Sequence, residues 1–444
     1  MRIRISVLRK EVAPVPLRQF TLFLQRWTGF LPSGSSHDIL SLLDQFQGLP
    51  LPIECWDRDI LRPRTPPSEA GALHSLTRDG TIVWIGLSSG RAMPVFRGSG
   101  SEFVFGAAEG EPMSPGAIRL FDYVRQKGAS FFSDIRSGTG LSLEAMNNSL
   151  AELFWNGVIS NDTLDELLTL KRSIRETDRP IEPILLVDPK HNPARGRILG
   201  RARKSLRQVP GWSGRWFPTQ DEAVEGEPMT QEQRAFAQAR RLLLRYGVFA
   251  REFLGREVAL TWSELWPAFQ MMELRGEIRR GYFVTGLSGM QYALPEAAEE
   301  LRSATAGPGM KDSRRVILMP TCDPANVYGP GIDLERGPGQ DPARCSRLPG
   351  NYIAFADGGP ILLIEGGGSS IITIGAPAAS LIEEAMREFV GMLKLPENAR
   401  PFKEIVIEYW NGARPAAVDE SAMLRRLGFQ RDRNQTVRVD AYSL

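Results

Sequence analysis

The stretch Leu73-His74-Ser75-Leu76-Thr77-Arg78-Asp79-Gly80-Thr81-Ile82 is the one on which the fold turns. Two apolar residues three apart, Leu73 and Leu76, lay one stripe along a helix; Gly80 supplies the left-handed cap that ends it, and Ile82 opens a strand. The same order of apolar, apolar, glycine and isoleucine recurs at Leu150, Leu153, Gly157 and Ile159, and again at Phe269, Met272, Gly276 and Ile278. One helix ending at glycine ahead of a strand is commonplace in α/β proteins. Three with the same internal spacing predict a repeated module.

The flanks agree with one another as well. Upstream of the second and third copies come a helical stretch, a glycine break and a short helix, at Gly128-Ala129-Ser130-Phe131-Phe132 and at Gly247-Val248-Phe249-Ala250; the first copy has Gly48-Leu49-Pro50-Leu51-Pro52 there. Downstream, the first and third copies run into hairpins, residues 81–87 returning through 91–96 and residues 277–284 returning through 290–294. Three helices followed by a hairpin is the winged-helix arrangement, a helix-turn-helix with an added wing. Such domains also serve as protein contacts or spacers, so the fold by itself gives nucleic-acid binding only modest support.

At 444 residues the chain has room for roughly three domains on length alone. Apolar residues at 42% and charged residues at 24% exclude wholesale disorder and a fibrous fold. The 54 Lys and Arg against 52 Asp and Glu leave a net charge of +2, which identifies no partner unless the charges are unevenly placed. They are. From Pro189 to Gln220 the chain carries Lys190, Arg195, Arg197, Arg201, Arg203, Lys204, Arg207 and Arg215 without one acidic residue, with Trp212, Trp216 and Phe217 among them. Guanidinium groups neutralise phosphates and aromatic rings stack on unpaired bases, so the mixture suits a flexible or single-stranded nucleic acid. A solvated linker anchored by its tryptophans is the competing reading. The acidic run that begins at Asp221 partly neutralises the segment.

After Arg314 the pattern becomes strand-like. Residues 315–319, 352–356, 361–365 and 370–374 are β-branched runs, and Asp357-Gly358-Gly359 is a hairpin signal. An amphipathic helix over 378–395, a strand over 404–410, a short helix over 420–427 and a final hairpin ending near Tyr442 complete a small β-barrel or curled sheet with one covering helix. The expected fold is α+β, tandem winged-helix domains followed by a small β-barrel. Its boundaries are 1–30 for the N-terminal segment of the first module, 31–110 and 111–175 for two winged helices, 176–228 for the basic connector, 229–305 for a third winged helix and 314–444 for the barrel.

Much chemistry is excluded. Glycine is never followed by lysine, so no phosphate-binding loop occurs. Asp221-Glu222-Ala223-Val224 imitates a helicase magnesium box but follows a polar loop rather than a buried strand, and is read as coincidence. The three cysteines, Cys55, Cys322 and Cys345, form no C-x-x-C pair, and His37, His74 and His191 are the only histidines; no metal and no cofactor is expected. No run approaches the roughly 18 apolar residues of a membrane span. Arg9, Lys10 and Glu11 interrupt the opening stretch too soon for a signal peptide. A cytoplasmic, nucleoid-associated protein without membrane contact is expected.

Several blocks resemble the C-terminal half of the bacterial large helicase-related (Lhr) proteins: residues 17–27, 45–52, 128–135 and 159–163, then 281–295 and 323–329. They fall in the order that family shows, and the block beginning Gly281-Tyr282-Phe283-Val284 is the most specific. The resemblance implies relatives in which a DNA-dependent ATPase and helicase core precedes winged helices and a β-barrel, with a latter half similar to DNA glycosylases and associated with uracil removal. A separate helicase motor is then an implied partner, and DNA, single-stranded or branched, the implied ligand.

For a glycosylase centre the resemblance points to Gln45 and Gln47, which match a Gln-apolar-Gln triplet, to Asp440 as a carboxylate close to the C-terminus, and to Asp323. The plainer readings are a helix-terminal glutamine pair, a surface aspartate and an Asx turn. Expected DNA contacts are Arg279 and Arg280 in the wing of the third unit, only one of which reaches phosphate if the two alternate across a strand, with Tyr282 beside them. The connector residues Arg195, Arg197, Arg201, Arg203, Lys204, Arg207, Arg215 and Trp216 complete the set. The rival function is a non-enzymatic winged-helix scaffold or transcription-factor-like protein.

Overall fold

Helices start where a short polar side chain can satisfy their open N–H groups. Asp38 accepts from Ser41 ahead of Ile39–Phe46, Ser114 from Ala117 ahead of Pro115–Lys127, and Ser142 from Ala145 ahead of Leu143–Trp155. Past the repeated helices the three glycines adopt left-handed φ values of 80° at Gly80, 68° at Gly157 and 76° at Gly276. The chain therefore turns into a strand each time, as the spacing requires. The computed structural model describes residues 13–31, 38–103, 113–177, 213–257, 260–303, 316–337, 340–397, 399–432 and 436–441. They divide into two compact units, one formed by 71–228 and the other by 1–70 together with 229–444. No helix among the described residues is long and apolar enough to cross a membrane.

In the unit 71–228, helices Pro115–Lys127, Phe132–Thr139 and Leu143–Trp155 precede strand Ile159–Asn161. The sheet is completed from far along the chain: Arg215–Pro218 lies between Ser130–Phe131 and Ile159–Asn161 and pairs antiparallel with both. Helix Ala72–Arg78 and the antiparallel hairpin Ile82–Leu87 with Arg91–Phe96 belong to the same unit. The Ser160 hydroxyl donates to the Trp84 carbonyl at 2.7 Å and ties that hairpin down. Gly86 is required at this contact, because a Cβ there would strike the carbonyl of Phe154.

The other unit repeats the topology. Helices Gln231–Tyr246 and Trp262–Leu274 flank the short helix Arg251–Arg256, and strand Gln291–Ala293 lies between Val248–Phe249 and Arg279–Gly281. In both places the strand that comes last in the chain occupies the middle of the sheet. A shared order of this kind marks both as winged helices. Helix Leu17–Trp27 buries Phe20, Phe23 and Leu24 in the same core as Leu243, Phe249 and Phe269.

The strand-rich region follows its expected elements closely. Its five strands run in the order Tyr409–Trp410, Ser370–Thr373, Gly359–Glu365, Tyr352–Ala356, Val316–Pro320. All pairs are antiparallel except Ser370–Thr373 with Tyr409–Trp410. Asp357 and Gly358 form the two-residue turn, with φ of 47° and 76°, as a tight hairpin demands. Helix Ala379–Gly391 buries Ile382, Met386 and Phe389 in the core on which Leu362, Ile364 and Ile371 also converge. A second sheet, Glu404–Ile407, Val437–Asp440 and Gln430–Arg431, shares that core. The expected β-barrel is not confirmed: among the described residues Val316–Pro320 and Tyr409–Trp410 are the ends of the five-stranded order.

Candidate nucleic-acid interface and an arginine-lined cleft

Of the proposed DNA contacts, Arg195, Arg197, Arg201, Arg203, Lys204 and Arg207 lie outside the described residues. Arg215 is half-exposed, and its backbone N–H and its Nε both donate to the Asp162 carboxylate, at 2.7 and 2.8 Å. Trp216, expected to offer a stacking surface, is instead fully buried as a core side chain of the central strand. Alternation along a strand puts neighbouring side chains on opposite faces, so Arg215 faces out where Trp216 faces in.

Arg279 and Arg280 diverge in the same way. Arg279 pairs with Glu299 at 3.3 Å on helix Pro295–Ser303, and Arg280 with Glu273 at 3.1 Å on helix Trp262–Leu274. Both therefore meet phosphate only in competition with a carboxylate. Tyr282 beside them is 60% exposed. The helix at the recognition position, Trp262–Leu274, contains Glu264 and Glu273 and no Lys or Arg, and it exposes Trp266, Met271 and Leu274. Its counterpart Leu143–Trp155 is likewise without a cation. Positive charge in these units comes instead from strands, as at Arg215, Arg279 and Arg280, and from other helices such as Pro115–Lys127 and Gln231–Tyr246.

The glycosylase candidates take structural positions. Gln47 caps helix Ile39–Phe46, and its side chain donates to Asp44 at 2.8 Å; the Gln45 side chain donates to the carbonyls of Trp27 and Leu244. The buried Arg245 guanidinium donates to the carbonyls of Gln45 and Gln47 and pairs with Glu257. Asp323 is wholly buried and takes a two-pronged pair from Arg64, both contacts at 2.7 Å, while its Oδ1 also accepts from Ala325 in an Asx turn. Asp440 ends strand Val437–Asp440, opposite Glu404. Phe46, between the two glutamines, lies under the Arg64 guanidinium that holds Asp323, with 5.2 Å from the guanidinium carbon to the ring centre.

The structure forms a cleft of about 1240 Å³ whose walls include Arg26, Arg58, Asp59, Arg62, Tyr352 and Arg387. That volume exceeds the roughly 300–1,000 Å³ of most small-molecule pockets. Three of its four guanidiniums are anchored by carboxylates: Arg58 by both oxygens of Asp59, at 2.7 and 2.6 Å, Arg62 by Asp57 at 2.7 Å, and Arg387 by Glu383 at 3.0 Å. Burial works against the Arg58 charge, but hydrogen bonding and attraction to Asp59 outweigh it and raise its pKa. Burial likewise pushes the Glu300 carboxyl up, opposed by the Arg26 charge. Tyr352 is held well above the phenol range, first by burial and then by the charge of Asp59. The segment Trp56-Asp57-Arg58-Asp59-Ile60-Leu61-Arg62-Pro63-Arg64 supplies much of this wall, and sequence reasoning passed over it. Its alternating charges on an apolar frame were the available signal.

Two winged-helix domain models described for the large helicase-related protein match the chain: the third over residues 15–96 and the fourth over 228–313. A Mycolicibacterium smegmatis protein named Lhr helicase/probable uracil glycosylase is 27% identical over 427 residues, 92% of this chain and 27% of that protein. The Escherichia coli Lhr helicase/uracil glycosylase is 24% identical over 351 residues, 75% of this chain and 22% of its own length. The chain thus spans about a quarter of the length of these relatives. Among solved structures, the Streptomyces sahachiroi DNA glycosylase AlkZ aligns over 85% of this chain and 96% of its own, at 12% identity and a TM-score of 0.42, too low to carry an argument. With two matched winged-helix models and similarity over most of its length, the chain resembles the C-terminal region of the large helicase-related family.

Proposed function

We propose that this chain is a DNA-binding module of a DNA-repair helicase system, gripping single-stranded or branched DNA at the nucleoid, with a separate helicase motor as its partner. The observation that carries this reading is the joining of family winged helices to a stretch, residues 189–220, holding eight cations and no acid. The recognition-position helices carry no cation, so the grip runs through the connector arginines, Arg215 and the wing residues Arg279, Arg280 and Tyr282. Each phosphate neutralised on a single strand adds about 0.7 to the slope of log affinity against log salt. Replacing Arg201, Arg203 and Lys204 with alanine is therefore expected to flatten that slope by about 2 on an oligonucleotide, read by fluorescence anisotropy across a salt series. An unchanged slope removes the connector from the DNA path. No salt-dependent binding by the intact chain favours the scaffold reading instead.

A second reading, excision of uracil, is favoured by the names of both relatives. In it, Asp440 is the carboxylate that supports the sugar cation of an extruded nucleotide. Extrusion costs a few kcal/mol and least from a single strand. Incubation with uracil-containing single strands followed by alkali is expected to cut the strand. No scission at enzyme excess removes the excision reading and leaves the DNA grip standing.

A further inference from the structure

Cys55 and Cys322, remote in sequence, meet beside Asp59, a residue of the cleft wall. Their sulfurs and a carboxylate oxygen of Asp59 all lie within 4.8 Å of one another, and all three residues are buried. We propose that Cys55, Asp59 and Cys322 form a binding site for a single thiolate-preferring divalent metal, zinc above all, whose fourth position faces the cleft.

The local structure is built for it. Cys55 precedes the π-helical turn Trp56–Leu61, so Cys55 and Asp59 present donors on one face one turn apart. Isolated π-turns are rare and gather at functional sites. Cys322 stands in the turn after strand Val316–Pro320. The two backbone segments are fixed to each other by the buried pair of Arg64, which follows the π-helical turn, with Asp323, the neighbour of Cys322. Four tetrahedral ligands with zinc–sulfur bonds of about 2.3 Å lie about 3.8 Å apart, inside the observed limit.

The surrounding chemistry fits the same ion. Arg58 grips both oxygens of Asp59 and orients the carboxylate, as outer-shell partners of metal ligands commonly do. Two thiolates and a carboxylate bring three negative charges, which a divalent ion and the Arg58 cation cancel. Two sulfurs and one oxygen select zinc over magnesium or calcium. Binding forms two metal–sulfur bonds and one metal–oxygen bond and releases the two thiol protons to solvent, with no change of oxidation state. Asp59 lines the cleft, which gives the ion its entry path and leaves room for a water as fourth ligand. Cys345 stands apart, in contact with Asn326 at 3.5 Å, and serves as the control.

The test uses the full chain, stripped with chelator under reducing agent and titrated with cobalt(II), then with zinc. The expected result is one equivalent of cobalt, a thiolate-to-cobalt charge-transfer absorption with tetrahedral d–d bands, displacement by zinc, and a higher Tm with zinc than with chelator. Cys55→Ser and Cys322→Ser are expected to lose the charge-transfer absorption, Asp59→Asn to weaken binding, Arg58→Gln to weaken it about 10–100-fold through the ligand it orients, and Cys345→Ser to bind as the parent does. Circular dichroism of each variant separates loss of the site from loss of the fold. A parent chain that shows neither the absorption nor a zinc-dependent Tm overturns the proposal, as does a Cys55–Cys322 disulfide in protein isolated with its thiols trapped. Excision or DNA binding plays no part in these readouts, so failure here leaves the proposed function untouched.

Discussion

Asp323 meets Arg64 with neither side chain open to water, and the guanidinium is further held by the carbonyls of Thr28 and Ile60 and by the rings of Phe30 and Phe46. Removing one partner would strand the other charge in the core, at a cost of about 3–5 kcal/mol. Asp323→Ala is therefore expected to lower unfolding stability by about that amount in urea titration, and Arg64→Met with Asp323→Leu to recover much of it. A single variant as stable as the parent would mean that the pair does not hold these segments together. The Asp-Pro-Ala-Asn block was legible as an Asx turn, since that depends on a neighbour two residues on. Its partner was not, because Arg64 stands 259 residues away and only the packed core brings the two together. The same holds for Gln45, whose side chain donates to the Leu244 carbonyl, and for the carbonyls of Gln45 and Gln47, which accept from Arg245.

Local elements were the most readable level. Helix Trp262–Leu274 starts at Thr261, whose backbone N–H and hydroxyl both donate to the Glu264 carboxylate, at 2.8 and 2.6 Å. Those bonds favour the ionised form and hold the Glu264 pKa below its ordinary 4.5. A carboxyl with a lowered folded pKa contributes stability above its unfolded value and loses it as pH falls through the folded one. The Tm advantage of the parent over Glu264→Gln is thus expected to be constant from neutral pH down to about 5 and to shrink in stronger acid. An advantage unchanged across the acid range would remove the ionised cap. Threonine followed three residues on by glutamate is visible in the sequence, as is the helix, glycine and strand unit, because each is settled by neighbours within a turn or two. Strand closure is of another kind. The expected barrel depended on which edges meet, and the β-branched runs carry no information on that.

At the scale of the whole molecule, the second winged helix draws its central strand from beyond the basic connector. Trp216 is wholly buried there and fills the sheet's inner face. Trp216→Ala is expected to cost about 3–5 kcal/mol and to raise hydrogen exchange first within residues 71–228, around Ser130–Phe131 and Ile159–Asn161. Unchanged protection at those two strands would show that Arg215–Pro218 does not complete the sheet. The basic stretch, read as a connector between modules, thereby lies in chain order between two strands of one sheet. By itself, the sequence determined the α+β class, the repeated helix-to-strand units, the charge imbalance of residues 189–220 and the resemblance to the large helicase-related family. All of these are properties of near neighbours or of order along the chain. Only the tertiary structure decided the order in which the strands of the last region pair, that Trp216 is core rather than contact surface, and that Cys55, Asp59 and Cys322 converge beside an arginine-lined cleft. Those outcomes depend on which distant surfaces exclude water together, and hydrophobic burial is blind to separation along the chain.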